Sequence, residues 1–133
     1  MAEPILIWGA GAIGDTVGAS LARAGHPVLL VDVVAEHVRQ VAEHGLAIEG
    51  PIAAFTARMP AVTPEALTGR YRTILLAVKS THTEQATRAL LPHLAEDGAV
   101  ASFQNGLNEL TIAEIVGRGR TLGAFVNFSA DYL

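Results

Sequence analysis

Short apolar runs alternate with helix-compatible segments along most of this 133-residue chain. The runs at 5–8, 28–31 and 72–78 are almost continuously hydrophobic, which is typical of parallel strands that are covered on both faces. The segments at 15–24 and 34–44 suit helices, and apolar residues recur along one face of the second. Strand–helix–strand crossovers of this kind predict an α/β fold: a Rossmann-type, doubly wound, mostly parallel sheet with helices on both faces.

The pattern changes between residues 46 and 57, where two short apolar runs flank Gly50-Pro51 and predict an inserted hairpin or bend. Thr63-Pro64-Glu65 predicts a short helical turn with proline at its first position. The remaining predicted elements are a helix from about 80 to 91, a strand at 99–103, a helix at 110–116 and a strand at 121–128.

The first apolar run leads directly into a G-x-G-x-x-G motif, which is typical of a dinucleotide-binding βαβ unit when a strand precedes it and a helix follows. Gly9 allows the tight turn, Gly11 lets a pyrophosphate approach the backbone, and Gly14 lets the helix pack against the strand. Gly18, one turn further on, is interpreted as another close-packing position. The alternative is a glycine-rich surface turn without a ligand. The expected pyrophosphate-binding residues are Gly9, Ala10, Gly11, Ala12, Ile13 and Gly14.

The second apolar run ends at Asp32, 18 residues after Gly14. A carboxylate there can accept hydrogen bonds from the hydroxyls of an adenosine ribose, and it would repel a 2′-phosphate. The three residues that follow include no Lys or Arg to hold such a phosphate, and the nearest base, Arg39, is expected on the next helix. The sequence therefore favours NAD over NADP. Asp32 could also cap the helix that follows, and the two roles can coexist.

Ligands of open α/β sheets bind outside the carboxyl ends of the strands, so residues that follow the later strands are further candidates. Val78 and Lys79 follow one strand, and the ammonium of Lys79 could contact the cofactor ribose or a substrate carboxylate, or be solvated at a helix start. Asn105 follows the next strand; its amide could orient a nicotinamide or a substrate hydroxyl, although Asn-Gly is also a favoured turn dipeptide. Among the histidines, His82 lies near this predicted site, whereas His37 is expected on a helix surface.

Composition narrows the functional classes. The net charge of −4 and the lack of a basic run argue against nucleic acid and anionic membranes as partners. The absence of cysteine excludes disulfides and thiolate chemistry, and no His/Asp/Glu spacing suggests a metal site. With no signal-peptide pattern and no membrane-length apolar run, a cytoplasmic protein is expected. The 50% hydrophobic content predicts apolar surface left over for a partner domain or for a second copy in a homo-oligomer.

Three motifs together resemble the N-terminal domain of the ketopantoate reductases (2-dehydropantoate 2-reductases), over essentially the whole chain. They are the glycine motif, Ala77-Val78-Lys79 with Thr83 four residues on, and Gln104-Asn105-Gly106. The resemblance implies an oxidoreductase of pantothenate biosynthesis that transfers hydride to a 2-keto acid, usually from NADPH. It also implies that Lys79 contacts the cofactor and helps to shape the active site, and that Asn105 positions the substrate and the nicotinamide.

The resemblance further implies that the proton-donating lysine and the substrate-binding glutamate of the family lie in a helical C-terminal domain, beyond residue 133. Residues 1–133 are therefore expected to form one dinucleotide-binding domain that is catalytically incomplete by itself. It would need that C-terminal domain or a partner chain to reduce a 2-keto acid. The alternative function is a stand-alone NAD(H)-binding or sensing module without catalysis of its own.

Overall fold

The computed structural model describes residues 3–9, 11–48, 54–78, 80–102 and 109–123. Within these ranges the strands are β1 (Ile5–Trp8), β2 (Val28–Val31), β3 (Leu46–Ile48), β4 (Phe55–Ala57), β5 (Ala61–Val62), β6 (Tyr71–Leu76), β7 (Leu94–Ser102) and β8 (Thr121–Gly123). The α-helices in the same ranges are α1 (Ala12–Arg23), α2 (Ala35–His44), α3 (Thr83–Leu90) and α4 (Glu109–Val116). Short 3-10 turns occupy Pro64–Ala66, Ser80–His82, Leu91–His93 and Arg118–Arg120.

Six of these strands form one parallel sheet, in the order β5-β2-β1-β6-β7-β8. Counted along the chain within the sheet, this is the 3-2-1-4-5-6 arrangement of doubly wound dinucleotide-binding folds. The order reverses between β1 and β6, which leaves a crevice outside their carboxyl ends. β3 and β4 pair antiparallel as a separate two-stranded sheet, so the predicted pair of inserted strands is confirmed.

Helices cover both faces of the parallel sheet. Successive residues of β1 face opposite sides, as the period of a strand requires: Leu6 belongs to one apolar core and Ile7 to the other. The Leu6 core includes Leu90 of α3 and Ile112 of α4, whereas the Ile7 core includes Val41 of α2. Burying one such side chain stabilises the fold by about 1.5–3 kcal/mol. The predicted Rossmann-type, doubly wound fold is confirmed.

Two strands differ from the predicted pattern. β7 begins at Leu94 instead of residue 99, so Gly98 lies inside the strand. A Cβ atom on Gly98 would lie 2.9 Å from the carbonyl oxygen of Tyr71, where the register between β6 and β7 shifts. β5, only two residues long, carries too little pattern to be recognised from the sequence. Of the strand predicted at 121–128, residues 121–123 form β8, and the rest lies outside the described residues.

In the part of the chain that the structure describes, no helix is long and apolar enough to cross a bilayer. The longest, α1, has 12 residues, whereas a spanning helix needs about 20.

Candidate dinucleotide-binding site

A cleft of about 620 Å³ lies at the carboxyl ends of β1, β2, β5 and β6. This is the side of the sheet on which the strand order reverses, and the volume falls within the range of pockets for small ligands and cofactors. Four of the residues predicted from the sequence line it: Gly9, Gly11, Asp32 and Val78. The other lining residues are Trp8, Val33, Val34, Pro64, Glu65, Ala77, His82, Gln85, Ala86 and Ala89.

The three motif glycines are required for different reasons. Gly9 has a φ of +104°, which disfavours other residues, and a Cβ there would lie 2.9 Å from the backbone of Ala77. A Cβ on Gly14 would lie 2.0 Å from the carbonyl oxygen of Gly9, so this glycine is needed for α1 to approach β1. The packing of both residues explains their identity without any ligand.

Gly11 is different, because no described residue that the chain folds against it excludes a side chain there. Its backbone is extended (φ −79°, ψ −176°), a conformation that any residue adopts. The nearest atom to a Cβ on Gly11 would be the carbonyl oxygen of Ala77, 4.0 Å away. A side chain would therefore project into space that the described residues leave open, at the wall of the cleft. This is the arrangement expected where a ligand approaches the backbone closely.

Gly11 is also the N-cap of α1, and its carbonyl oxygen accepts the first helical hydrogen bond, from the N–H of Asp15, at 2.8 Å. The cap residue, being glycine, has no side chain to bond the opening N–H groups of the helix. Such a helix start carries a partial positive charge and directs N–H groups outward, which suits a diphosphate.

Asp32 follows β2, and its N–H donates a hydrogen bond to the carbonyl of Val62 in β5 at 3.2 Å. Its Oδ2 accepts a hydrogen bond from the N–H of Val34, also at 3.2 Å. Val34, and not Asp32, is the N-cap of α2, so the alternative capping role is met only in part: the carboxylate orders the turn that enters the helix. A carboxylate offers about four acceptor positions, so this hydrogen bond is compatible with ribose binding.

The cleft is acidic on the evidence of its described lining. Asp32 and Glu65 line it, and none of the described lining residues is Lys or Arg. Arg39, the nearest base after Asp32, is not among them. It donates a hydrogen bond to Glu36 on the same helix, and Gln40 donates a second; together these hydrogen bonds lower the pKa of the Glu36 carboxyl.

The wall opposite the glycine motif was not predicted, with the exception of His82. Glu65 belongs to the turn after β5, and Gln85 lies on α3. Both face the carboxyl end of the sheet because the topology brings these segments together. Recognition of β5 in the sequence would have identified Glu65, since it follows a strand end.

Several predicted site residues do not line the cleft or are not described. Ile13 and Gly14 lie in the first turn of α1, and neither is among the lining residues. Ala12 begins the same helix. Ala10, Lys79 and Asn105 lie outside the described residues, so their roles stay predictions. Within the described ranges, no group of three His, Asp or Glu side chains is arranged to hold a metal ion.

Comparison with known proteins also indicates a dinucleotide-binding domain of the ketopantoate reductase type. The model of the family "Ketopantoate reductase PanE/ApbA" matches residues 5–132. The 2-dehydropantoate 2-reductases of Pyrococcus horikoshii and Pyrococcus abyssi are 35% and 38% identical over 120 and 121 residues. Each alignment covers 86% of this chain but 37% of the relative, so the chain spans little more than a third of the length of these relatives.

Solved structures of related proteins superimpose on this chain. A D-mandelate dehydrogenase, determined with NADH and anilino(oxo)acetate, superimposes with a TM-score of 0.81 and 30% identity, covering 89% of this chain and 39% of that protein. A PanE/ApbA family ketopantoate reductase from Ralstonia eutropha superimposes with a TM-score of 0.78 and 34% identity, covering 90% and 39% of the two chains. With its glycine motif, its strand order and a family match over nearly its full length, this chain belongs to the ketopantoate reductase family.

Proposed function

We propose that this chain is the dinucleotide-binding domain of an oxidoreductase that transfers hydride from NADH to a 2-keto acid. The observation that carries the proposal is the space in front of Gly11, a glycine that packing against the described residues does not require. The diphosphate would lie against the glycine motif and the start of α1, and the adenosine ribose would bond the carboxylate of Asp32. The remaining predicted contacts, from Ala10, Ala12, Ile13 and Gly14, belong to the same turn.

The bound cofactor supplies the hydride, and the residues of this chain bind and orient it. Lys79 and Asn105 are proposed to act at the nicotinamide end, Lys79 on the cofactor and Asn105 on the substrate and nicotinamide. Val78, which precedes Lys79 in the chain, lines the cleft and supports this assignment for its neighbour. The proposal for these two residues rests on the resemblance of their motifs to those of the family.

The acidic lining of the cleft supports a preference for NADH over NADPH. A 2′-phosphate on the adenosine ribose would approach Asp32, and the repulsion between the two negative charges, screened by solvent and salt at this partly exposed position, would disfavour NADPH by about tenfold. Glu65 adds a second carboxylate to the same cleft, and no described lining residue is Lys or Arg. The similar D-mandelate dehydrogenase was determined with NADH, which agrees with this preference.

A 2-keto acid is the proposed substrate class because the curated relatives are 2-dehydropantoate 2-reductases and the D-mandelate dehydrogenase holds anilino(oxo)acetate. Residues 1–133 are proposed to act as one domain. Because they span about 37% of those relatives, we expect the proton donor to come from a further domain or partner chain.

A hydride-transfer assay tests this function. The chain is assayed alone and fused after Leu133 to the C-terminal part of the D-mandelate dehydrogenase, with NADH and a panel of 2-keto acids. We expect the fusion to oxidise NADH only when a 2-keto acid is present, and the chain alone to bind NADH without turnover. The same fusion carrying Gly11→Val is the control for cofactor binding. A fusion that binds NADH but reduces no 2-keto acid would refute the reductase assignment.

A further inference from the structure

A buried carboxylate lies behind the glycine motif. Asp15, in the first turn of α1, is 5% exposed, and His37 of α2 approaches it with a side chain that is 25% exposed. The Nε2 atom of His37 lies 3.1 Å from Oδ2 and 3.4 Å from Oδ1 of Asp15. In the tautomer that carries a hydrogen on Nε2, His37 donates to the carboxylate of Asp15, which accepts. The sequence placed His37 on a helix surface; the structure instead pairs it with a residue 22 positions away.

This pair connects the beginnings of the two helices that follow the cofactor-binding turns. On one side, the N–H of Asp15 donates to the carbonyl oxygen of Gly11 at 2.8 Å. On the other, His37 lies in the first turn of α2, whose N-cap, Val34, donates its N–H to the carboxylate of Asp32. Gly11 and Asp32, the proposed diphosphate and ribose residues, are therefore joined through a short series of hydrogen bonds and one helical turn.

We infer that Asp15 and His37 are positioning residues, which hold the glycine turn and Asp32 at the separation that a dinucleotide requires. The inference rests on the proposed function. A ligand that contacts two sites at once gains affinity from both contacts only when the distance between the sites matches the length of the ligand. Apolar packing is not directional, whereas a hydrogen bond between Asp15 and His37 fixes the relative position of the two helix starts. Neither residue lines the cleft, so both act on the ligand through Gly11 and Asp32.

The first experiment is a double-mutant cycle on the full chain, with Asp15→Ala, His37→Ala and the double variant. The only tryptophan, Trp8, lines the cleft, so quenching of its fluorescence reports NADH binding. We expect each single variant to bind NADH about tenfold more weakly, the equivalent of one charge-assisted hydrogen bond, and the double variant to be no weaker than either. His44→Ala, on the same helix with a 74% exposed side chain, is the matched control and should bind like wild type. Losses that multiply in the double variant would overturn the inference.

The second experiment separates positioning from general loss of structure, by comparing ADP with adenosine. ADP reaches both turns, whereas adenosine reaches only Asp32. We expect Asp15→Ala to weaken the binding of ADP about tenfold and the binding of adenosine less than twofold, both measured by ligand-observed NMR. Equal weakening of both ligands would mean that the pair acts only on stability and would overturn the inference.

Asp15→Asn provides the rescue, because its amide oxygen still accepts the hydrogen bond from His37 at nearly constant volume. We expect this variant to bind NADH within about threefold of wild type. An Asn variant as weak as Asp15→Ala would contradict the inference. Wild-type chain that binds neither NADH nor ADP would instead refute the proposed function, and the inference with it.

Discussion

The two walls of the cleft are built in different ways. The glycine wall, formed by Gly9, Gly11 and Asp32, comes from one continuous βαβ unit, and two of these three residues have no side chain. The opposite wall, formed by Glu65, His82, Gln85 and their neighbours, comes from the turn after β5 and from the region of α3, and these three residues carry polar side chains. The glycines suit what all dinucleotides share, the diphosphate. Because Asp32 is the proposed ribose ligand, we expect its carboxylate to set the preference between NADH and NADPH, and Glu65 on the opposite wall to adjust it less.

The largest expected effect is on the fold, at the junction behind the glycine wall. Gly14→Ala places a Cβ 2.0 Å from the carbonyl oxygen of Gly9, so α1 must move away from β1. We expect a loss of at least about 3 kcal/mol in the free energy of unfolding, measured by urea denaturation.

Gly18→Ala is the matched control on the same helix. The sequence suggested another position that needs glycine, but a Cβ there would make ordinary contacts at 3.6–3.8 Å with Ile7, Met59 and Val28. That variant should be as stable as wild type or more stable by up to about 1 kcal/mol. Similar destabilisation by both substitutions would contradict the distinction between these glycines.

The next largest effect is expected on the affinity for the ligand, without an effect on the stability of the fold. Gly11→Val occupies the space of the glycine wall without a close contact to the described residues, because the backbone is extended and the nearest of their atoms to a Cβ is 4.0 Å away. We expect an unchanged melting temperature and NADH affinity lowered by about 100-fold, since the diphosphate is displaced from the helix start. Thermal melting and Trp8 fluorescence measure the two quantities. Retained affinity would reduce the motif to a structural turn.

A smaller effect is expected at Asp32, where Asp32→Asn removes the charge and keeps an oxygen for the hydrogen bond from Val34. The ratio of NADPH to NADH affinity should rise by about tenfold, because the repulsion of the 2′-phosphate is lost. Parallel titrations with the two nucleotides give this ratio. An unchanged ratio would mean that Asp32 does not meet the adenosine ribose.

The smallest effect is expected on the opposite wall. Glu65→Gln should raise the same ratio by only about threefold, since Glu65 is exposed and its charge is screened by solvent. Glu84→Gln, on α3 with a 66% exposed side chain outside the cleft lining, is the matched control and should leave the ratio unchanged. If Glu65→Gln shifts the ratio of NADPH to NADH affinity more than Asp32→Asn does, Glu65 and not Asp32 is the main determinant of the cofactor preference.

The glycine wall could be predicted from the sequence because each part of it is local: strand, turn, helix and terminal acid follow one another within 32 residues. The opposite wall could not, because it depends on β5, a two-residue strand, and on the sheet order that brings α3 beside it. The Asp15–His37 pair was missed for a related reason. Its partners lie on different helices, so neither shows in the periodicity of one segment.

Binding of a dinucleotide in the cleft, and selection of NADH by its acidic described lining, are tested most directly by a comparative titration. The purified wild-type chain is titrated with NADH and with NADPH, and binding is followed by the fluorescence of Trp8. We expect saturable quenching by both nucleotides, with NADH binding about tenfold more tightly because Asp32 repels the 2′-phosphate. Tighter binding of NADPH, or the absence of binding by either nucleotide, would contradict it.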